Sequence, residues 1–101
     1  MKRVLLCQFR DGDTKVTADG TALLIGISVE ELLERWDPAA GASNLPPDLQ
    51  RRGQKRTRTA RNATGGNDGC SVLGYWALMT WPGCRLDFDE TSGRMWALVD
   101  E

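Results

Sequence analysis

The sequence contains no histidine, and this absence narrows the chemistry open to the chain. Histidine is the usual general base near neutral pH and the usual activator of a serine or cysteine nucleophile. Carboxylates could replace it, but Asp87, Asp89 and Glu90 stand where a strand is predicted to enter a turn, and charges are ordinary there. The glycines of residues 65–69 are not followed by a lysine, so they form no phosphate loop and indicate a flexible linker. We therefore expect a protein that is not an enzyme and has no cofactor.

Cysteine is scarce, with only Cys7, Cys70 and Cys84. Their spacing matches no zinc motif, and without histidine a tetrahedral zinc site would need an acidic ligand. A disulfide between Cys70 and Cys84 is an alternative that a reducing compartment disfavours. We expect no bound metal, and we expect the three cysteines to pack as small hydrophobic residues.

Long apolar runs are also missing. No stretch approaches the roughly 20 residues that cross a bilayer. The apolar stretch from Val4 to Cys7 is too short for the core of a signal peptide. A length of 101 residues fits one domain. We expect a single domain over residues 1–101, in the cytoplasm and without membrane contact.

Turn residues and hydrophobic spacing predict the elements of the N-terminal part. A strand is predicted over 3–9 and a second over 14–17, joined by the hairpin signal Asp11-Gly12, and Asp19-Gly20 marks another turn. Residues 28–36 predict a helix, with Ser28 and Glu31 as a capping box and Ile27 with Leu32 as a hydrophobic staple. Its buried face is predicted from four residues at helical spacing: Val29, Leu32, Leu33 and Trp36.

The C-terminal third is more apolar. Residues 71–80 favour a helix capped by Ser71, although alternation leaves a strand open as the alternative. Residues 84–99 predict a β-hairpin that turns at 90–93. The four tryptophans are expected to meet in one core: Trp36, Trp76, Trp81 and Trp96. The fold class is α+β, with an N-terminal strand or hairpin, a short helix pair, a basic arm or helix, then a helix and the C-terminal hairpin.

The net charge of -1 conceals a strongly segregated distribution. Six cations fall within 11 residues, with no acid between Asp48 and Asp68: Arg51, Arg52, Lys55, Arg56, Arg58 and Arg61. The rest of the chain contains the other seven basic residues and all 14 acidic residues, so its net charge is -7. Leu49 is almost the only large apolar side chain between residues 48 and 69, so residues 50–69 could form either a flexible arm or a solvated helix.

These six cations are the candidate nucleic-acid-binding residues. Clustered guanidinium groups neutralise phosphates and bind them in a bidentate manner, so the segment favours nucleic acid, DNA above all, as the partner. An acidic protein surface is the alternative partner. The sequence leaves the oligomeric state open.

Residues 18–36 resemble a helix-turn-helix unit. In that family a small residue lets two helices approach, and four positions later a glycine opens the turn, followed by an aliphatic residue and often serine. Ala22, Gly26, Ile27 and Ser28 stand at those positions. The stretch from Leu45 to Arg58 is also similar to one in small proteins of actinobacteria and their phages that begin with such a unit. The resemblance implies a small DNA-binding or regulatory protein.

The would-be recognition helix carries Glu30, Glu31 and Glu34, which would repel phosphates. We therefore expect this helix to act as a scaffold, while the basic segment binds the phosphate backbone of the nucleic acid. The acidic helix also favours a second hypothesis. This is a protein-interaction module, such as a phage-encoded inhibitor or adaptor that binds a host nucleic-acid-processing machine.

Overall fold

The computed structural model describes residues 2–66 and 68–100, which form four strands and four α-helices. The strands are β1 (Lys2–Arg10), β2 (Asp13–Val16), β3 (Arg85–Asp89) and β4 (Arg94–Val99). The helices are α1 (Ala18–Ile25), α2 (Val29–Arg35), α3 (Pro47–Thr64) and α4 (Gly69–Thr80). Two 3-10 turns, Pro38–Ala40 and Ala42–Asn44, lie between α2 and α3. The radius of gyration of 13.0 Å is that of a packed domain of this length. The predicted α+β class is confirmed.

Three residues of the predicted single domain lie outside the described part of the chain: Met1, Asn67 and Glu101. Asn67 also belongs to the predicted flexible linker over 65–69. The choice between arm and helix for the basic segment is decided for residues up to 64, which belong to α3.

One antiparallel sheet has the strand order β2-β1-β4-β3. The first hairpin turns through Asp11 and Gly12, whose φ values of 52° and 81° suit a two-residue type I′ turn. The second joins β3 to β4 within the predicted range 84–99. Both predicted hairpins are confirmed. The pairing of β1 with β4 joins distant parts of the chain, and a β-bulge interrupts it between Leu5 and Cys7.

The two faces of the sheet differ in burial. Directly opposed residues share a face, so the pairs Val4 with Ala97 and Cys7 with Met95 form the buried face. Helices α1 and α4 contribute Leu23 and Leu73 to the same core. The opposite face presents Trp96, with the guanidinium carbon of Arg3 4.3 Å from its ring centroid.

Helix α1 contains the residues that the sequence suggested as a turn. Thr17 caps it by accepting a hydrogen bond from the Gly20 amide at 3.0 Å, and its own hydroxyl donates to the Leu5 carbonyl at 2.6 Å. A Cβ at position 20 would collide with the Leu6 carbonyl oxygen. Gly20 therefore lets the helix lie directly on β1, and the turn predicted at Asp19-Gly20 is wrong.

Helix α2 begins as predicted. The Ser28 hydroxyl accepts a hydrogen bond from the Glu31 amide at 3.1 Å, and Leu32 is fully buried with Ile27 packed against its cluster. Gly26 adopts the left-handed conformation, with φ of 87°, and ends α1. The predicted burial of Leu33 is wrong: its side chain is 49% exposed, because α1 covers only one side of this short helix.

The tryptophans do not share one core, so that prediction is wrong. Trp36 packs on a small cluster between α1, α2 and α3, whereas Trp76 and Trp81 pack on the main core. Trp96 lies on the other side of the sheet because its neighbours Met95 and Ala97 point inward. Adjacent positions on a strand cannot share a face.

Helix α4 confirms the helical choice for 71–80 but begins earlier. Asp68 is its N-cap and accepts a hydrogen bond from the Ser71 amide at 2.7 Å, so Ser71 is not the cap. The three cysteines are free thiols, with Cys7 and Cys84 buried. Within residues 2–66 and 68–100, no helix has the length and apolar character to cross a membrane, and no three acidic or cysteine side chains cluster as metal ligands.

Candidate nucleic-acid interface

The basic segment lies on α3, which has a defined start and end. Pro47 occupies the first turn, and Gly65, with φ of 72°, ends the helix by donating its amide to the Arg61 carbonyl at 2.8 Å. Asp48, the only acid on α3, accepts two hydrogen bonds from Arg35 at 2.8 and 2.9 Å. These bonds lower the pKa of the Asp48 carboxyl. This acid is therefore already paired and does not offset the cations that follow.

One face of α3 is held in the protein. Leu49 and Ala60 are almost completely buried, and a Cβ on Gly53 would lie 3.7 Å from Ile25. Arg56 shares this spacing, because positions 49, 53, 56 and 60 recur at intervals of three and four residues along a helix. The opposite face of α3 must therefore point to solvent.

Arg56 is occupied inside the protein. Its Nε donates to the Leu24 carbonyl at 2.8 Å, and Nη2 donates to the Leu23 carbonyl at 3.0 Å. Its guanidinium carbon lies 3.7 Å from the ring centroid of Trp76, whose indole N–H donates to the Arg56 carbonyl at 3.0 Å. Burial lowers the pKa of this guanidinium. Arg56 thus joins α3 to the C-terminal end of α1, where carbonyls carry partial negative charge.

Arg52 lies one turn earlier on the same flank. Its Nη2 donates to the Gly26 carbonyl at 3.2 Å, in the turn between α1 and α2. Arg52 and Arg56 both line a cleft of about 820 Å³ to which Glu30 and Glu31 also contribute. The cations on this flank therefore face acids and carbonyls.

The other four cations point away from the core. Arg51, Lys55 and Arg58 are exposed and spaced by four and three residues, which puts them in one stripe along the helix. Arg61 is exposed one turn beyond Arg58. At about 1.5 Å rise per residue the stripe is roughly 15 Å long. Within the described residues the one ion pair joins Arg35 and Asp48, so none of these four cations is within 4.0 Å of a described carboxylate oxygen.

A groove runs beside this stripe. It has a volume of about 780 Å³ between α1 and α3, with Leu24, Ile25 and Leu49 on its apolar side. Arg58 and Arg61 also line this groove. A ligand held by the outward stripe would therefore also reach an apolar surface.

The structure separates the six predicted residues into two groups. Arg51, Lys55, Arg58 and Arg61 form the outward stripe, whereas Arg52 and Arg56 bind backbone carbonyls of the protein itself. Sequence reasoning missed Trp76, which supports Arg56 from α4. The available signal was the helical spacing that puts Arg56 on the same face as Leu49 and Ala60. No protein-family model, no curated protein and no solved structure matches the chain.

Proposed function

We propose that the protein is a non-catalytic nucleic-acid-binding protein, with DNA as the favoured ligand, and that the outward stripe of α3 contacts the phosphate backbone. The observation that carries the proposal is the stripe itself: Arg51, Lys55, Arg58 and Arg61 without an acidic partner among the described residues. A solvated helix face normally mixes both signs of charge. This one does not, although the chain outside the six cations of residues 51–61 has a net charge of -7.

The packing of the inward face of α3 against the protein supports the same function. Leu49, Ala60 and Arg56 fix the inward face, so the outward cations are presented on a helix that is already ordered. A flexible arm would lose conformational entropy when it binds a ligand. Because α3 is ordered before binding, this cost is smaller. Arginine also offers a planar fork that bonds two phosphate oxygens at once.

Helix α2 has a supporting role in this proposal. Its exposed Glu30, Glu31 and Glu34 would repel phosphates, which disfavours a reading role in a DNA groove. The α1–α2 turn instead holds Arg52 through the Gly26 carbonyl. We therefore assign the pair to the scaffold and phosphate contact to α3.

Fluorescence anisotropy with labelled random double-stranded DNA, at salt from about 50 to about 200 mM, tests the proposal. Four phosphate contacts predict a slope of about -3.6 in a plot of log affinity against log salt, or roughly a hundredfold loss across this range. The Arg51→Ala, Lys55→Ala, Arg58→Ala, Arg61→Ala variant should lose this binding. Single-stranded DNA in parallel shows which form is preferred.

The control removes four exposed cations outside α3: Lys2→Ala, Arg10→Ala, Lys15→Ala and Arg94→Ala. Its net charge equals that of the α3 variant, so a difference between them reports position and not total charge. Equal affinity of the two variants would refute the assignment to α3. Absence of binding at the lowest salt would refute nucleic-acid binding altogether.

A second candidate function follows from α2. Leu33 is 49% exposed on the helix that presents Glu30 and Glu34. An exposed apolar side chain surrounded by acidic residues is complementary to the basic surface of a nucleic-acid-processing protein. An inhibitor or adaptor of such a protein would bind through a surface of this kind. In a host pull-down, Leu33→Ala and Glu34→Lys would each remove such a partner, whereas the α3 variant would retain it.

A further inference from the structure

The outer edge of β3 is the starting point. The sheet ends at β3, so the backbone groups of this strand that point away from β4 have no strand partner among the described residues. Both apolar side chains of β3 are exposed, Leu86 by 41% and Phe88 by 47%. The opposite edge, β2, is four residues long with Asp13 and Lys15, whereas β3 alternates its two apolar residues with Arg85, Asp87 and Asp89. In natural proteins, a free strand edge that is flanked by apolar side chains is usually protected from pairing or is paired with another strand.

The apolar surface continues from β3 onto α4. A Cβ on Gly74 would lie 2.9 Å from the Leu86 Cδ1, so Leu86 leans on α4 at this glycine. Leu78 follows one turn later on the same side of α4 and is 48% exposed. Leu78, Leu86 and Phe88 thus form one apolar strip along the β3 edge of the molecule. A strand edge and an adjoining apolar helix face are together the ingredients of a pairing surface.

We propose that the protein forms a two-fold symmetric dimer in which β3 pairs antiparallel with β3 of a second copy. The register is centred on Leu86, which then faces Leu86 of the second copy. In this register Arg85 lies opposite Asp87 of the second copy, and Asp87 lies opposite its Arg85. On the inner face, Phe88 lies beside Cys84 of the second copy, the buried residue that precedes its β3. Both charge pairs are complementary, and the two exposed Leu86 side chains cover each other.

The charge pattern of β3 favours this register and favours a second copy of the chain as the partner. Shifting the centre to Asp87 would place Asp87 opposite its own copy, and like charges directly opposite destabilise a strand pair. A two-fold axis through Leu86 uses the same edge on both copies and leaves no free β3 edge for further growth. It also puts both α4 helices on one side of the joined eight-stranded sheet, where Leu78 extends the apolar contact.

The dimer does not rest on the proposed nucleic-acid binding. Helix α3 packs on α1 and α4, and its outward stripe is not part of the β3 edge. The oligomeric state is measured without nucleic acid, so either proposal can fail alone.

Sedimentation velocity of the full chain, from about 1 to about 200 µM, tests the dimer. We expect a concentration-dependent shift from 11.2 kDa to twice that mass. Arg85→Asp and Asp87→Arg should each weaken the dimer at least about tenfold by placing like charges opposite each other. The combined Arg85→Asp, Asp87→Arg variant should restore it, because the two charges are exchanged and remain complementary.

Lys15→Asp on the β2 edge is the matched control, since it changes the charge by the same amount as Arg85→Asp, and we expect no effect. Circular dichroism of each variant verifies the fold, which these exposed positions should leave intact. A monomer at the highest concentration would overturn the proposal. So would a dimer that ignores both single reversals, a combined variant that stays monomeric, or species that grow beyond the dimer.

Discussion

Replacing Arg56 with methionine should destabilise the protein far more than the same change at any exposed cation of α3. The methionine keeps an unbranched apolar stem but removes the guanidinium. Two carbonyls at the end of α1, those of Leu23 and Leu24, then lose their donors. The Trp76 ring also loses the cation that lies 3.7 Å from its centroid.

The expected cost follows from these contacts. A hydrogen bond from a charged donor contributes about 1.5–3 kcal/mol. A partly desolvated cation–π contact adds about 0.5–2 kcal/mol. Part of this is offset because the cation no longer has to be desolvated, a cost that shows in the lowered pKa of Arg56. We expect a net loss of about 3 kcal/mol, which for a chain of this length lowers the melting temperature by roughly 15 °C.

Urea unfolding followed by circular dichroism measures the effect, with Arg58→Met as the control on the exposed face of the same helix. Arg58→Met should change the free energy of unfolding by less than about 0.5 kcal/mol. If Arg56→Met costs no more than Arg58→Met, the argument that Arg56 joins α3 to α1 is refuted. The comparison also matters for binding assays, because a variant that includes Arg56→Ala changes the stability of the fold as well as the charge of α3.

Two further predictions concern a turn glycine and a buried thiol. Gly93→Ala should lower the free energy of unfolding by more than about 3 kcal/mol, because Gly93 has φ of 72° and a Cβ there would collide with the Phe9 carbonyl. Gly12 is the control: it has φ of 81° but open space around it, so Gly12→Ala should cost about 1 kcal/mol in the same urea assay. Equal costs would contradict the close approach of the β3–β4 turn to β1. Burial, with a smaller contribution from Cys70, raises the pKa of the Cys7 thiol to about 11. Since the thiolate is the reactive form and the Cys7 side chain is fully buried, alkylation of Cys7 in the folded protein at pH 8 should be at least roughly a hundredfold slower than that of an ordinary exposed cysteine. Unfolding in urea should remove this protection. Mass spectrometry of the Cys7 peptide follows this reaction, and an alkylation rate in the folded protein equal to that in urea would contradict the burial of Cys7.

Part of the candidate interface was predictable and part was not. The absence of acids between Asp48 and Asp68 is visible in the sequence, and so is the concentration of arginine. Which cations face outward depends on the phase of α3 relative to α1, and the apolar positions Leu49 and Ala60 indicate that phase. What Arg56 binds could not be foreseen, because its partners are backbone carbonyls of another helix and a tryptophan 20 residues away.

The sequence by itself determined the features that depend on near neighbours: the capped start of α2 at Ser28, the turn at Asp11-Gly12 and the C-terminal hairpin. Caps, turns and hydrophobic spacing act over a few residues, so their physics is complete within a short window. Only the tertiary structure decided that Gly20 lies inside a helix against β1 and that β1 pairs with β4. It also decided that Trp96 stands apart from the other tryptophans. These outcomes depend on which distant segments pack together, and burial against a distant neighbour overrides a local preference worth about 1 kcal/mol.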